Sequence, residues 1–124
     1  MRKVHRPVWT RVDGRGKLVE LLNTGQWKAL LYGRMRRHAV MGHHYHKRTD
    51  VVFFLLDGKA RVTSVQVRTA RRRRCSLGRN QGVVFGSYES HAIRFLAPSE
   101  FIMAKSRPYR PSQPDTFAYR VDGA

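Results

Sequence analysis

The chain has 124 residues, 41% apolar and 10% aromatic, enough for one buried core and too short for a second. Its longest unbroken apolar run, Val51 to Leu56, is far below the ~20 residues of a membrane helix, and no apolar stretch follows the basic N-terminus as a secretory signal requires. Twenty-five lysines and arginines against eight acidic residues give a net charge of +17, and the single cysteine, Cys75, excludes an internal disulfide and suits a reducing cytoplasm.

Alternation of apolar and polar residues, rich in β-branched and aromatic side chains, predicts strands along the whole chain and no helix longer than a turn. In order they are Val8–Val12, Lys17–Leu22, Trp27–Arg34, His38–Tyr45, Val51–Leu56 and Ala60–Arg68. Arg73–Leu77, Gly82–Phe85, His91–Leu96, Phe101–Ser106 and Phe117–Val121 follow. Asp13-Gly14, Thr24-Gly25, Asp57-Gly58 and Ala97-Pro98-Ser99 mark turns between them. Many short strands at this spacing predict a β-sandwich or barrel. Thr69 to Arg74 reads as a charged hairpin tip, with the Arg71–Arg74 run in water. Arg107 to Pro114, with three of the five prolines, reads as an extended surface loop. Cys75, beside Arg74 and far in sequence from any histidine, reads as structural.

Gly42-His43-His44-Tyr45-His46 gathers three of the six histidines. Residues two apart on a strand share a face, which places His44 and His46 together, about 7 Å apart by strand rise. His91, at the start of a later strand, completes a three-histidine site in a closed sheet. Imidazole is both the common neutral ligand for iron, zinc, manganese or nickel and the usual acid or base near neutral pH, so this set predicts metal binding or proton transfer. Glu89 shares the face of His91 if that segment is extended.

Gly42-His43-His44-Tyr45-His46-Lys47, the apolar run Val51 to Leu56 and the turn Asp57-Gly58 resemble the first cupin motif. Gly82-Val83-Val84-Phe85 to His91 resembles the second, with Gly86-Ser87-Tyr88-Glu89-Ser90 where that motif carries PxG. Asp13-Gly14-Arg15-Gly16-Lys17-Leu18-Val19-Glu20 is similar to the D-x-R-G-x-L/F-x-E entry strand of sugar-nucleotide cupins, and Ser106-Arg107-Pro108-Tyr109 to Pro114-Asp115-Thr116 is similar to their closing segment. These are the dTDP-4-dehydrorhamnose 3,5-epimerases and dTDP-sugar 3,4-ketoisomerases, the RmlC-like and WxcM-like cupins.

The resemblance implies an all-β cupin jelly-roll barrel (a double-stranded β-helix) in one domain over 1–124, with N-terminal strands at 1–24, the barrel at 25–106 and a closing tail at 107–124. It implies an isomerase or epimerase acting on a nucleotide-linked keto sugar through enolisation. His44 and His46 would move the protons, Tyr32, Tyr88 or Arg34 would steady the enolate, and Arg15, Arg34, Arg36 and Tyr32 would bind the phosphorylated substrate. His-x-His in place of the epimerases' His-x-Gln favours the ketoisomerase comparison. Met41 stands where the epimerases carry an arginine, and this favours the alternative, a metal-dependent cyclase, lyase or dioxygenase with His44, His46, His91 and Asp50 as ligands of a divalent metal. A homodimer joined through Val8 to Leu22 is also implied, and the single cysteine and the short apolar run predict a cytoplasmic protein without membrane contact. Nucleic acid or another polyanion is a third class of partner, motivated by the charge and the four-arginine run alone. No aromatic ladder, helix-turn-helix or zinc-finger spacing supports it.

Overall fold

The computed structural model describes residues 1–124 and contains twelve strands and no helix. They are β1 (Arg2–Val4), β2 (Trp9–Asp13), β3 (Gly16–Glu20), β4 (Ala29–Met35), β5 (Val40–Tyr45) and β6 (Val51–Asp57). The second half adds β7 (Ala60–Gln66), β8 (Arg72–Leu77), β9 (Gln81–Phe85), β10 (Glu89–Phe95), β11 (Ser99–Lys105) and β12 (Phe117–Ala118). Two five-stranded antiparallel sheets, ordered β1-β9-β6-β11-β4 and β12-β5-β10-β7-β8, face each other, and β2 and β3 form a separate ribbon. No helix is present that is long and apolar enough to cross a membrane.

Burial follows the two-residue period. Val51, Phe53 and Leu55 of β6 meet Ala60 and Val62 of β7, Leu77 of β8 and Ile93 and Phe95 of β10 between the sheets. The rings of Phe53, Phe95 and Phe101 lie with centroids 4.9 to 6.2 Å apart at the centre, an offset arrangement that adds to area burial. β6 is continuously apolar because both of its faces are covered. Val52 and Phe54, each 3% exposed, point away from the core toward a groove shared with Leu21, Leu22 and Trp27.

Two expectations need correction. The hairpin tip is shorter than the expected Thr69 to Arg74, because β8 begins at Arg72, one residue before the strand expected from Arg73. Arg72, Arg73 and Arg74 pair with Val65, Ser64 and Thr63 while their side chains stay exposed. Strand β1, which pairs with β9, has no counterpart in the sequence reading, because three residues are too few to show a period. The tail does run as an extended surface loop through Pro114, then returns to pair β12 with β5 and bury Val121.

One irregularity positions the later chemistry. Opposite β10, His91 pairs with His44 while Ala92 pairs with Gly42, so β5 carries His43 as an extra residue. The bulge uses left-handed backbone at Gly42 (φ 110°) and His43 (φ 59°), a region costly for side chains other than glycine. Met41 packs on the core although it lies three residues before His44, and only an inserted residue lets positions of opposite parity share the interior face. A Cβ on Gly42 would meet the His91 carbonyl oxygen. Gly42→Ala is therefore expected to cost about 2–3 kcal/mol of stability, read as a lower urea midpoint. An unchanged midpoint would contradict this reading of the bulge.

Candidate active site

Beyond the bulge, β5 directs His44 and His46 inward, and β10 brings His91 beside them. Ring centroids are 5.1 Å apart for His44–His46, 4.9 Å for His44–His91 and 6.0 Å for His46–His91. One nitrogen from each ring lies within 4.8 Å of the others. His46 and His91 are 4% and 5% exposed, whereas His44 is half-buried. His91 stacks on Phe85 at 4.0 Å, which fixes its plane.

The orientation of two rings is set by backbone. His46 Nδ1 donates to the Asp115 carbonyl (2.6 Å) and His91 Nδ1 to the Glu89 carbonyl (3.1 Å). A carbonyl oxygen only accepts, so both neutral rings carry the proton on Nδ1 and keep the Nε2 lone pair free. Asp115 is held in turn. Its carboxylate accepts from the Lys47 N–H (2.9 Å), the Arg48 N–H (2.8 Å) and the Thr49 hydroxyl (2.8 Å). Burial acts to raise its pKa, but these donors outweigh it and hold the carboxyl below its ordinary value. The tail is thus tied to the turn after β5 through the residue that orients His46.

Burial is the main cause that lowers all three imidazole pKa values. Repulsion from neighbouring imidazoles adds to it for His44 and His91, and the Lys105 ammonium adds to it for all three. His91 falls to about 3. The three rings are neutral at pH 7, as a base or a ligand must be.

A cavity of about 580 Å³ opens at His46. Six cations line it, Lys28, Lys47, Arg48, Lys105, Arg107 and Arg110, against one acid, Asp115. Such a mouth concentrates anions. Lys47 and Arg48 follow the His-x-His element, and Lys105, Arg107 and Arg110 sit in or beside the closing segment, an adjacency that was the available signal, whereas Lys28 is brought there by the pairing of β4 with β11. The sequence reading looked instead to arginines upstream of the glycine.

Those upstream residues lie elsewhere. Arg15 pairs with Asp13 at the tip of the β2–β3 ribbon (2.8 Å). On β4, Gly33 and Met35 face the core, so Tyr32 and Arg34 face outward, where the Tyr32 hydroxyl donates to Glu100 (2.7 Å) and Arg34 lies 3.8 Å from it. Arg36 is exposed past the far end of β4, about 25 Å of extended chain from Lys28 at the cavity. Tyr88 stacks on Tyr45 at 5.8 Å beneath the Arg68 guanidinium. Tyr45 alternates with His44 and His46, so this stack lies on the opposite face of the sheet. Asp50 is exposed, and the converging set contains no carboxylate. Cys75 is half-buried against the core, and burial raises its pKa.

The neutral imidazoles give stability a pH dependence. Unfolded histidines take protons near pH 6.5, while His91 resists until about 3. Between these values the unfolded chain binds more protons, so stability falls as pH falls. The urea midpoint is expected to be level above pH 7 and to drop from pH 6.5 to 4.5, before carboxylates protonate. His91→Asn should flatten that drop, and an equally steep drop in the variant would refute the assignment.

The chain matches the model of the family described as polysaccharide biosynthesis C-terminal domain over residues 11–117. No curated protein matches it. Among solved structures it is similar to the capsular polysaccharide assembling protein CapF from Staphylococcus aureus, with TM-score 0.72 and 22% identity over 93% of this chain and 35% of that one. This chain therefore spans about a third of the length of CapF. A 3,4-ketoisomerase from Helicobacter canadensis gives TM-score 0.77 and 20% identity, covering 94% of this chain and 88% of that one. ChmJ, a 3'-monoepimerase from Streptomyces bikiniensis in complex with dTDP-quinovose, gives 0.78 and 18%, covering 92% and 67%. At these identities the likeness is one of fold, the jelly roll of the RmlC-like cupins. The chain belongs to the polysaccharide biosynthesis C-terminal domain family.

Proposed function

We propose that this chain is an isomerase or epimerase that moves a proton beside a ketone on a nucleotide-linked sugar. The observation that carries the reading is a pair of adjacent neutral imidazoles, His44 and His46, of which His46 opens onto a six-cation cavity. The neighbouring ketoisomerase and the monoepimerase described with a dTDP-sugar support the same chemistry. The cations would hold the diphosphate. A neutral imidazole would take the proton from the carbon next to the ketone, and the electron pair would move onto the carbonyl oxygen as an enolate. Returning the proton to the opposite face of that carbon inverts it. Returning it to the former carbonyl carbon, through the enediol, shifts the ketone. Lys105, on the cavity wall and close enough to depress all three imidazoles, would stabilise the enolate oxygen in place of Tyr32, Tyr88 or Arg34.

The same trio favours a second reading, a metal-dependent enzyme. Three neutral rings with nitrogens within 4.8 Å need modest closure to reach the about 3.4 Å between ligands of a tetrahedral zinc. His44, His46 and His91 would then hold iron, zinc, manganese or nickel, which would polarise a ketone oxygen. In either reading His46 faces the cavity, and the Asp115 carbonyl keeps its Nε2 free.

A cytoplasmic homodimer belongs to this proposal. All of β2 is exposed, Val12 (73%) included, as is Leu18 (57%) of β3, and the ribbon pairs with no other strand. A lone two-stranded ribbon is marginal in water, and a second copy would cover it. Light scattering at moderate salt should give twice 14.4 kDa. A species of 14.4 kDa would contradict the dimer.

Incubation with dTDP-4-keto-6-deoxyglucose in deuterated water should place solvent label at ring carbons, and His44→Ala should slow incorporation about 100-fold or more. No incorporation by the wild-type protein would remove the isomerase reading.

A further inference from the structure

The β7–β8 flank of the same sheet carries a second basic cavity. Parity places its residues. Val62 on β7, Cys75 on β8 and Ile93 on β10 face the core, so Ser64, Arg73 and His91 continue that interior face toward one end of the barrel. In register, His91 lies opposite Ser64, and Ser64 opposite Arg73. Arg73 is thus two strand spacings, about 10 Å, from His91. His44 and the six-cation cavity lie on the other side of β10. The second cavity, about 390 Å³, is lined by Arg2, Arg71, Arg73, Ser64, Gln66 and Glu89 among others. Ser64, 3% exposed, is its most deeply buried wall.

Its charge is unbalanced. No carboxylate lies within ion-pair distance of Arg2, Arg71 or Arg73. Glu89, the one acid present, accepts instead from the Met1 nitrogen and the Gly86 N–H. The forked guanidiniums of Arg71 and Arg73, with the buried Ser64 hydroxyl, offer the donors that a phosphate or carboxylate requires, Arg73 giving one of its own to the Met1 carbonyl. We propose that this cavity is a second anion subsite, and that it receives a phosphate or carboxylate at the end of the substrate remote from the group held by Lys47, Arg107 and Arg110. This rests on the reading of His44 and His46 as the reacting centre. It narrows the substrate class to molecules anionic at both ends, and it gives the Arg71–Arg74 run a binding role for two of its members.

Inorganic phosphate tests the subsite without turnover. Calorimetric titration at 150 mM salt should show two classes of site in the wild-type protein. The variant Arg71→Ser/Arg73→Ser should lose one class and keep the other, and Arg107→Ser/Arg110→Ser should do the reverse. Phosphate binding unchanged by Arg71→Ser/Arg73→Ser overturns the subsite. Binding that disappears between 50 and 200 mM salt in every variant also overturns it, because that is a counterion atmosphere. With a nucleotide-linked keto sugar that also carries a carboxylate or phosphate on the sugar, Arg71→Ser/Arg73→Ser should raise KM about tenfold or more and leave kcat unaltered. An unaltered KM overturns the assignment of the anion to the substrate. If no nucleotide-linked keto sugar turns over, the isomerase reading fails, while the phosphate titration still decides the subsite.

Discussion

Because β5 carries one residue more than β10 between Met41 and His44, the strand changes parity in mid-course. Before the bulge its interior side chain is a methionine packed on the core; after it the interior side chains are imidazoles. Without His43 as the insertion, strict alternation would keep Met41 inside and turn His44 and His46 outward. The arrangement demands left-handed backbone at two consecutive positions, and glycine meets that demand at the one where a Cβ would strike the His91 carbonyl. His43 is held from outside the barrel, where its Nδ1 accepts the Val121 N–H (3.1 Å) and its carbonyl accepts the Tyr119 N–H (2.9 Å). The last residues of the chain therefore brace the distortion that presents the site.

Burial and charge then act on the imidazoles in one direction. Taking them from water disfavours the charged form, and Lys105 disfavours it further. The backbone carbonyls partly oppose this while fixing which nitrogen bears the proton. A protein of net charge +17 can place cations at the mouth and still keep a neutral base inside. That separation suits an anionic substrate that must give up a proton. Lys28 and Lys105, neighbours across the β4–β11 edge through the Lys28 N–H and Lys105 carbonyl (2.9 Å), belong to one sheet, and Lys47 and Arg48 follow β5 of the other. The cavity thus forms where the two sheets meet.

Much of this was legible in the residues. The period-two pattern marked most strands, since burial on one or both faces writes itself into alternation or into runs such as Val51 to Leu56. His44, His46 and His91 converge as their spacing in two strands suggests, although simple alternation reaches that answer without the bulge that makes it possible. The set of cations lining the cavity was not all legible by the same means. Arg34 and Arg36 are near the histidines in sequence, but β4 carries them outward or away along its length, whereas Lys28 and Lys105 reach the cavity only through the pairing of β4 with β11. Tyr88 was misplaced because its left-handed backbone (φ 61°) and its stacking on Tyr45 follow from the turn before β10, which alternation does not describe. The tail's role was hidden for a related reason: the group that orients His46 is a backbone carbonyl, and no side-chain pattern encodes it.

The account depends on two buried neutral rings, His46 and His91, offering Nε2 toward a common point with His44. Long-range nitrogen–proton correlation of the imidazoles at pH 7 reads this directly. The account predicts neutral His46 and His91 with the proton on Nδ1, and chemical shifts for His91 that stay constant down to pH 5. A proton on Nε2 of either ring, or a His91 that titrates near 6.5, would contradict it.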